Sequence, residues 1–297
     1  MDHLTELYCL MDDFCKEFEP ALKTKLITDG KLHRDRPTSL SLAELMTLVV
    51  LFHQIRYRQF KLFYLCHVCQ HLHREFPRLP SYQRCVELMP RCALAMAALF
   101  ELIKGECSGL SIADSTPITV CHNLRIRSHR VFDGMAARGK SSTGWFFGFK
   151  LHLVINHVGE LLRAKVTPGN VDDRKPLRDF AAGLFGKLYA DKGYIAKWLT
   201  DFLATCGIDF VTKVRRNMKP VARSDFDKAV LKQRSLVETV IDELKNLCQI
   251  EHTRHRSPIN FTVNLLAGLV AYCLMPNKPR LPLQSINPLG NARLIPN

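Results

Sequence analysis

Apolar residues recur at separations of three and four through most of the first hundred positions, a spacing that predicts helices. The stretches "LTELYCLMDDFCKEF", "FKLFYLCHVCQHLHREF", "SYQRCVELM" and "RCALAMAALFELIKG" all carry it. In "SLAELMTLVVLFHQI", Ser41 stands where an N-cap belongs, and Glu44 three residues on completes a capping box. Residues 1–106 therefore read as a helical N-terminal region. Near Leu110 the period shortens. "GLSIADSTPITV" reads as a strand, "FFGFKLHLVINHVGELLRAKVTPGN" as two strands joined at His157-Val158-Gly159-Glu160, and "KLYADKGY" and "GIDFVTKV" as two more. Helical segments, "RKPLRDFAAGLF" and "IAKWLTDFLATC", separate the later strands, and "KQRSLVETVIDELKNL" follows the last as an amphipathic helix. Such an order predicts a mixed α/β domain over 107–250, with an antiparallel hairpin and parallel crossovers. Residues 251–297 hold one more apolar helix, "NFTVNLLAGLVAYCLM", and then an extended tail rich in Pro and Asn.

Charge narrows the range of partners. Among 297 residues, 42 Lys and Arg against 28 Asp and Glu leave a formal charge of +14, which points to a polyanion, nucleic acid ahead of a membrane surface. The longest apolar runs are too short to span a bilayer, and "MDHLTELYCLMDDF" puts acids where a signal peptide needs bases. A cytoplasmic protein without a membrane partner is expected. Eleven cysteines without framework spacing fit reduced thiols.

Candidate chemistry lies in three acids. Asp114 and Asp191 fall at the ends of the first and fourth predicted strands, where open α/β sheets bind ligands. Glu238 lies in the terminal amphipathic helix. Arg234, Glu238 and Lys245, at separations of four and seven, share its polar side opposite Val237, Val240, Ile241 and Leu244. That side reads as a solvated ion-pair face, or else as a metal ligand flanked by cations for phosphate. Three carboxylates gathered together repel one another unless cations lie between them, and such hard oxygen donors suit Mg²⁺ or Mn²⁺. Two ions about 4 Å apart serve in-line attack at phosphorus.

Weaker signals surround this set. Asp172 and Asp173 are rivals for Asp191, but better suit the cap of the following helix or a supporting contact to the metal-ligating acids. Trp145 reads as a core residue and His152 as structural. Residues 122–144 read as a flexible basic insertion carrying Arg125, Arg127, Arg130, Arg138 and Lys140, placed to grip phosphates beside Asp114. Lys213, Arg215 and Arg216 form a further basic cluster. The N-terminal helices allow either a helix-turn-helix-like reader of DNA ends or a plain supporting bundle.

"SIADSTPITV", "GWFFGFKLH", "TPGNVDDRKPL", "LYADKGY", "GIDFVTKVRRNMK" and the Arg-Glu-Lys spacing of "RSLVETVIDELK" resemble the DDE transposases of bacterial insertion sequences, most closely the family named for insertion sequence 982. The likeness runs from about Ser39 to Tyr272. It implies an RNase H-like mixed-sheet core with helices on both faces, preceded by the all-helical N-terminal region. It also implies Asp114, Asp191 and Glu238 as catalytic, metal-binding acids, two Mg²⁺ or Mn²⁺ ions, and phosphate contacts from Arg234 and Lys245. A wider signature has Tyr three residues before the Arg, where this chain has Leu231. The implied activity is transposition: binding of element ends in double-stranded DNA, cleavage, and strand transfer of a 3′-hydroxyl to target DNA by a homodimer or larger assembly. The implied place is the bacterial cytoplasm, on the nucleoid when DNA-bound. The alternatives are an RNase H-like nuclease that cuts without joining, or a retired transposase that only binds DNA.

Overall fold

The computed structural model describes residues 3–29, 38–141, 144–214, 216–218, 221–251 and 255–282. In chain order the helices used below are α1 (His3–Thr28), α2 (Leu42–Gln54), α3 (Tyr82–Leu88), α4 (Cys92–Ile103), α5 (Arg174–Phe180), α6 (Lys197–Thr205), α7 (Asp225–Lys232), α8 (Ser235–Asp242) and α9 (Pro258–Cys273). The strands are β1 (Leu110–Cys121), β2 (Ala137–Ser141), β3 (Gly144–Asn156), β4 (Leu161–Pro168), β5 (Gly186–Ala190) and β6 (Ile208–Thr212). Contacts divide the chain into two units, Met1–Ile103 with Leu244–Leu274, and Lys104–Glu243 with Met275–Asn297.

In the helical unit, α2 starts at the expected capping box: Glu44 N–H donates to Ser41 Oγ at 3.1 Å, and Ser41 N–H donates to Glu44 Oε2 at 2.6 Å. Helix α2 is buried nearly all round because α1, α4 and α9 pack on it. Its one buried hydroxyl, on Thr47, donates to the Ala43 carbonyl at 2.8 Å, so that no donor is left unpaired there. Helix α9 thus belongs to the same core as the N-terminal helices. The chain beyond it returns to the sheet unit, where Leu281 N–H donates to the His157 carbonyl at 2.8 Å.

The sheet unit is a mixed α/β core. Its six strands run β2-β3-β1-β5-β6, with β4 also paired to β3. Strands β1, β2 and β4 pair antiparallel with β3, whereas β5 pairs parallel with β1 and β6. The expected hairpin is β3–β4, closed where Gly159 turns at φ +74°. Two strand expectations need correction. Residues 122–144 do not form only a flexible loop: Asn123–Ser128 is a 3₁₀ turn, and Ala137–Ser141 is edge strand β2. Strand β1 also continues past Asp114 to Cys121, because β3 keeps pairing with it after β5 has stopped at Ile112.

Period-two alternation divides the helices between the two faces. Ala113, Leu188 and Ala190 point to one side, where they join Leu177 and Phe180 of α5 and Leu199 and Leu203 of α6 in a buried cluster. Lys187 and Tyr189 point to the other side, toward α7. There the Asp227 carboxylate accepts from Lys187 Nζ at 2.7 Å and from the Tyr189 hydroxyl at 2.7 Å. Ser224, the N-cap of α7, also donates to Asp227 at 2.7 Å.

Burial alone would push the Asp227 carboxyl up, but these hydrogen bonds outweigh it and hold the group below its ordinary value. The resulting stabilisation is present above the ordinary Asp value of about 3.9 and is lost as pH falls through the lower folded value. Asp227→Ala strands the buried Tyr189 hydroxyl and leaves Lys187 only the weaker partner Asp209 at 3.9 Å, so a loss of about 2 kcal/mol is expected in urea unfolding at neutral pH, shrinking in acid. A variant as stable as the parent at neutral pH would contradict this account.

Candidate active site

The carboxylates are positioned by strand register. Ile112 of β1 pairs with Tyr189 of β5, and Asp114 and Asp191 each lie two residues further on, the next same-face positions of neighbouring strands. Pairing between the two strands has ended there, so both acids stand at the C-terminal edge of the parallel pair. Asp191 follows β5 directly and leads into the 3₁₀ turn Lys192–Tyr194. Asp114 lies within a strand rather than past its end, but the opening beside it is the one expected for an acid at a parallel strand terminus.

Glu238 is delivered by α8, though not as the sequence reading had it. The stretch from Lys232 to Leu247 is not one helix: α7 ends at Lys232, Arg234 is the N-cap of α8, and a π-helical turn occupies Glu243–Leu247. A π turn changes the angle per residue, so the seven-residue step from Glu238 to Lys245 no longer fixes a common side. Lys245 Nζ pairs with Glu251 at 3.1 Å.

Arg234 is the hub of the arrangement. One guanidinium nitrogen, Nη1, donates to Asp114 Oδ2 at 2.8 Å, and Nη2 donates to Glu238 Oε1 at 3.0 Å. The Arg234 side chain is only 13% exposed and Asp114 only 20%, whereas Glu238 is 60% exposed. Burial pushes the Asp114 carboxyl up, more than Arg234 and the Ser115 N–H pull it down. Burial works to lower Arg234 as well, but Asp114, Asp191 and Glu238 together raise it. The two shifts favour different states of the pair. The ion pair is the state consistent with the geometry, because a neutral Asp114 would leave the buried guanidinium without its closest anion. The spacing offers Arg234 either an ion pair with Glu238 or a contact to phosphate; here it makes that ion pair and a second one, to Asp114, that the spacing does not foretell.

Around these acids the sequence pattern missed Lys150 and Tyr194. Lys150 of β3 donates to Asp173 Oδ1 at 2.9 Å and to the Val171 carbonyl at 3.0 Å. Tyr194 is buried; its hydroxyl, hydrogen-bonded to Ser115, is pushed up by burial and by the charges of Asp114 and Asp173. Asp173 sits at the N-cap position of α5 without capping it. Asp172 accepts the Arg174 N–H at 3.0 Å, and the Arg174 side chain holds its carboxyl well below the usual range. His152 is buried, its ring bonded to the Thr167 hydroxyl at 2.8 Å.

The basic candidates separate into groups. Arg138 and Lys140 of β2 line, with Lys150, Asp172 and Asp173, an open hollow of about 440 Å³. Trp145 lines it too and is 60% exposed, contrary to the expected core position: as the second residue of β3 it lies over the edge strand, with Lys140 Nζ 5.8 Å from its ring centroid. Arg125, Arg127 and Arg130 are exposed on or beside the 3₁₀ turn, and Lys213 and Arg216 are exposed after β6. Arg215 lies outside the described residues.

A family model for the transposase DDE domain matches residues 104–258, more than half of the 297-residue chain. The chain belongs to that family. The matched span contains the sheet, Asp114, Asp191 and all of α8. No curated protein matches the sequence. Membership makes the protein a transposase-family enzyme acting on nucleic acid, DNA being the substrate that the family implies. Among the described residues no helix is long and apolar enough to cross a membrane.

Divalent metal is the cofactor generally used by the DDE domain. The donors suit it in kind, since three carboxylates offer the hard oxygens that Mg²⁺ takes. Their present arrangement differs from a metal cage: no group of three or more His, Cys, Asp or Glu side chains among the described residues is drawn together tightly enough to hold an ion. The Arg234 guanidinium lies between Asp114 and Glu238, providing the positive charge that such a cluster requires.

Proposed function

We propose that the protein is the transposase of a bacterial insertion sequence, allied to the family of insertion sequence 982, and that Asp114, Asp191 and Glu238 are its catalytic acids. The observation that carries this reading is the convergence of Asp114 and Glu238 on one guanidinium, with Asp191 directly after the strand that pairs beside Asp114, inside the span matched by the DDE model. These carboxylates would hold Mg²⁺ or Mn²⁺, two ions being expected; when bound, the metal supplies Lewis acidity for displacement at phosphorus.

In the cleavage step water attacks the phosphodiester at the element end, the P–O3′ bond breaks, and a 3′-hydroxyl and a 5′-phosphate are released. In the joining step that 3′-hydroxyl attacks a target phosphodiester, and the target's own 3′-oxygen leaves. Neither step needs a covalent protein intermediate. Arg138, Lys140 and Lys150 orient the DNA backbone along the hollow beside β2, and Arg125, Arg127, Arg130, Lys213, Arg215, Arg216 and Lys245 add phosphate contacts. With metal on the carboxylates, Arg234 would be free to meet a DNA phosphate instead. Two element ends call for at least a dimer on DNA, working at the nucleoid in the cytoplasm.

The deciding experiment is cleavage and joining of labelled DNA carrying the element's own end, with Mg²⁺ or Mn²⁺, comparing the intact protein with Glu238→Gln. Cutting and joining by the parent, with binding but neither reaction in the variant, supports the assignment. Cutting without joining by the parent would favour a nuclease of the same fold. Equal activity in both proteins would return Glu238 to the status of a solvated charge.

A further inference from the structure

The helical unit contains a cavity of about 840 Å³ that the phosphoryl-transfer reading does not use. Its volume lies in the range of small-ligand sites. Three features of its lining are complementary. Phe60 and Tyr82 give an aromatic wall, their ring centroids 6.4 Å apart. Lys61 and Arg256 bring positive charge, and the Arg256 charge reaches the Tyr82 hydroxyl. Glu87 also lines the cavity, but Arg84 neutralises it at 3.0 Å.

The third feature is a pair of amides on α9. Asn260 Nδ2 donates to the Val86 carbonyl at 3.3 Å, which fixes the orientation of the amide and turns Oδ1 away from that bond. That Oδ1 and the Nδ2 of Asn264 are both buried without a hydrogen-bond partner among the described residues. Buried polar atoms are rarely left so, and an unmet pair lining a cavity points to a ligand that meets it. Asn264 is one helical turn after Asn260, so an acceptor and a donor stand side by side on one face. A planar ring carrying a donor next to an acceptor satisfies both. Every nucleobase has such an edge and a flat face to stack on aromatic rings, and the nucleotide that carries it adds a phosphate for the cations.

We infer that this cavity binds a single unstacked nucleobase of the DNA on which the transposase acts, with Asn260 Oδ1 and Asn264 Nδ2 meeting the base edge and Tyr82 and Phe60 its face. The inference needs a DNA-binding protein but not the Asp-Asp-Glu chemistry, and its test does not read cleavage.

Full-length protein is titrated by fluorescence anisotropy with a labelled duplex that is fully paired, and with the same duplex carrying one unpaired base in a bulge. The parent is expected to bind the bulged duplex about tenfold more tightly, the scale of one stacked base. Asn264→Leu and Tyr82→Ala are expected to lose that preference while binding the paired duplex within about twofold of the parent. Asn264→Leu removes an unmet buried amide, so its Tm is expected to equal or exceed that of the parent, separating lost recognition from lost folding even if Tyr82→Ala unfolds. No bulge preference in the parent, or a preference that survives Asn264→Leu, overturns the proposal. Tighter binding of free dAMP than of the bulged duplex, abolished by Asn264→Leu, overturns DNA as the source of the base. Loss of cleavage in Glu238→Gln is a separate readout.

Discussion

Asp114→Asn is expected to reduce cleavage of element-end DNA by roughly 10³-fold or more while leaving DNA affinity within about twofold. The reasoning starts from burial. Asp114 is desolvated enough to push its carboxyl up, yet it faces a guanidinium at 2.8 Å. A neutral amide of the same shape relieves the desolvation of Asp114 and still accepts one hydrogen bond, but it takes the closest anion from the buried Arg234 guanidinium, so Tm is expected to fall as well. Its larger cost falls on the chemistry, where an amide is a poor ligand for a hard dication. Single-turnover cleavage and anisotropy on the same preparation separate the two effects. An Asp114→Asn variant that still cuts within about tenfold of the parent would remove Asp114 from the catalytic set.

The second large effect concerns Arg234. In the absence of divalent metal, Arg234→Ala leaves Asp114 buried beside Glu238 and Asp191 with no cation among them, a loss on the order of 3 kcal/mol for a broken buried pair. Added Mn²⁺ should then stabilise the variant more than the parent, because in the parent the guanidinium competes for the same carboxylates and the linked gain grows with affinity as RT ln(1 + [L]/Kd). Urea unfolding in EDTA and in excess MnCl₂ gives both numbers for both proteins. If Mn²⁺ stabilises the two equally, Arg234 and the metal do not share a site.

The two strand acids were legible in the sequence because both follow short apolar runs, and apolar runs set strand register. Glu238 was legible through its spacing from Arg234. What the spacing could not give was the break at Gln233–Arg234, since "KQRS" has no Gly or Pro to mark it. Nor could it give the second ion pair of the guanidinium, because the position of Arg234 relative to Asp114 depends on packing across 120 residues of chain. Strand β2 escaped notice for a simpler reason: "ARGKS" has no apolar alternation, and it is a strand only because β3 offers it an edge. Trp145 misled for the same reason, its face being set by that edge rather than by hydrophobicity. Lys150 and Asp227 gave one usable signal, a charged group at an alternate position of an otherwise apolar strand or beside a cap, which demands a buried partner.

The way the two units are threaded has a consequence for how the enzyme is made. Residues 104–243 are inserted between the first and second parts of the helical unit, whose helix α9 is among the last described segments of the chain. On a ribosome adding about 5–20 residues per second, α2 and α4 must wait through the entire sheet unit for the helix that covers them. The sheet unit can close first, and Arg234 reaches Asp114 before the helical core is complete. A chain stopped between Glu243 and Pro258 would hold its acids in place but leave the apolar sides of α2 and α4 open to solvent, making such prematurely terminated copies targets for aggregation or proteolysis rather than partial enzymes.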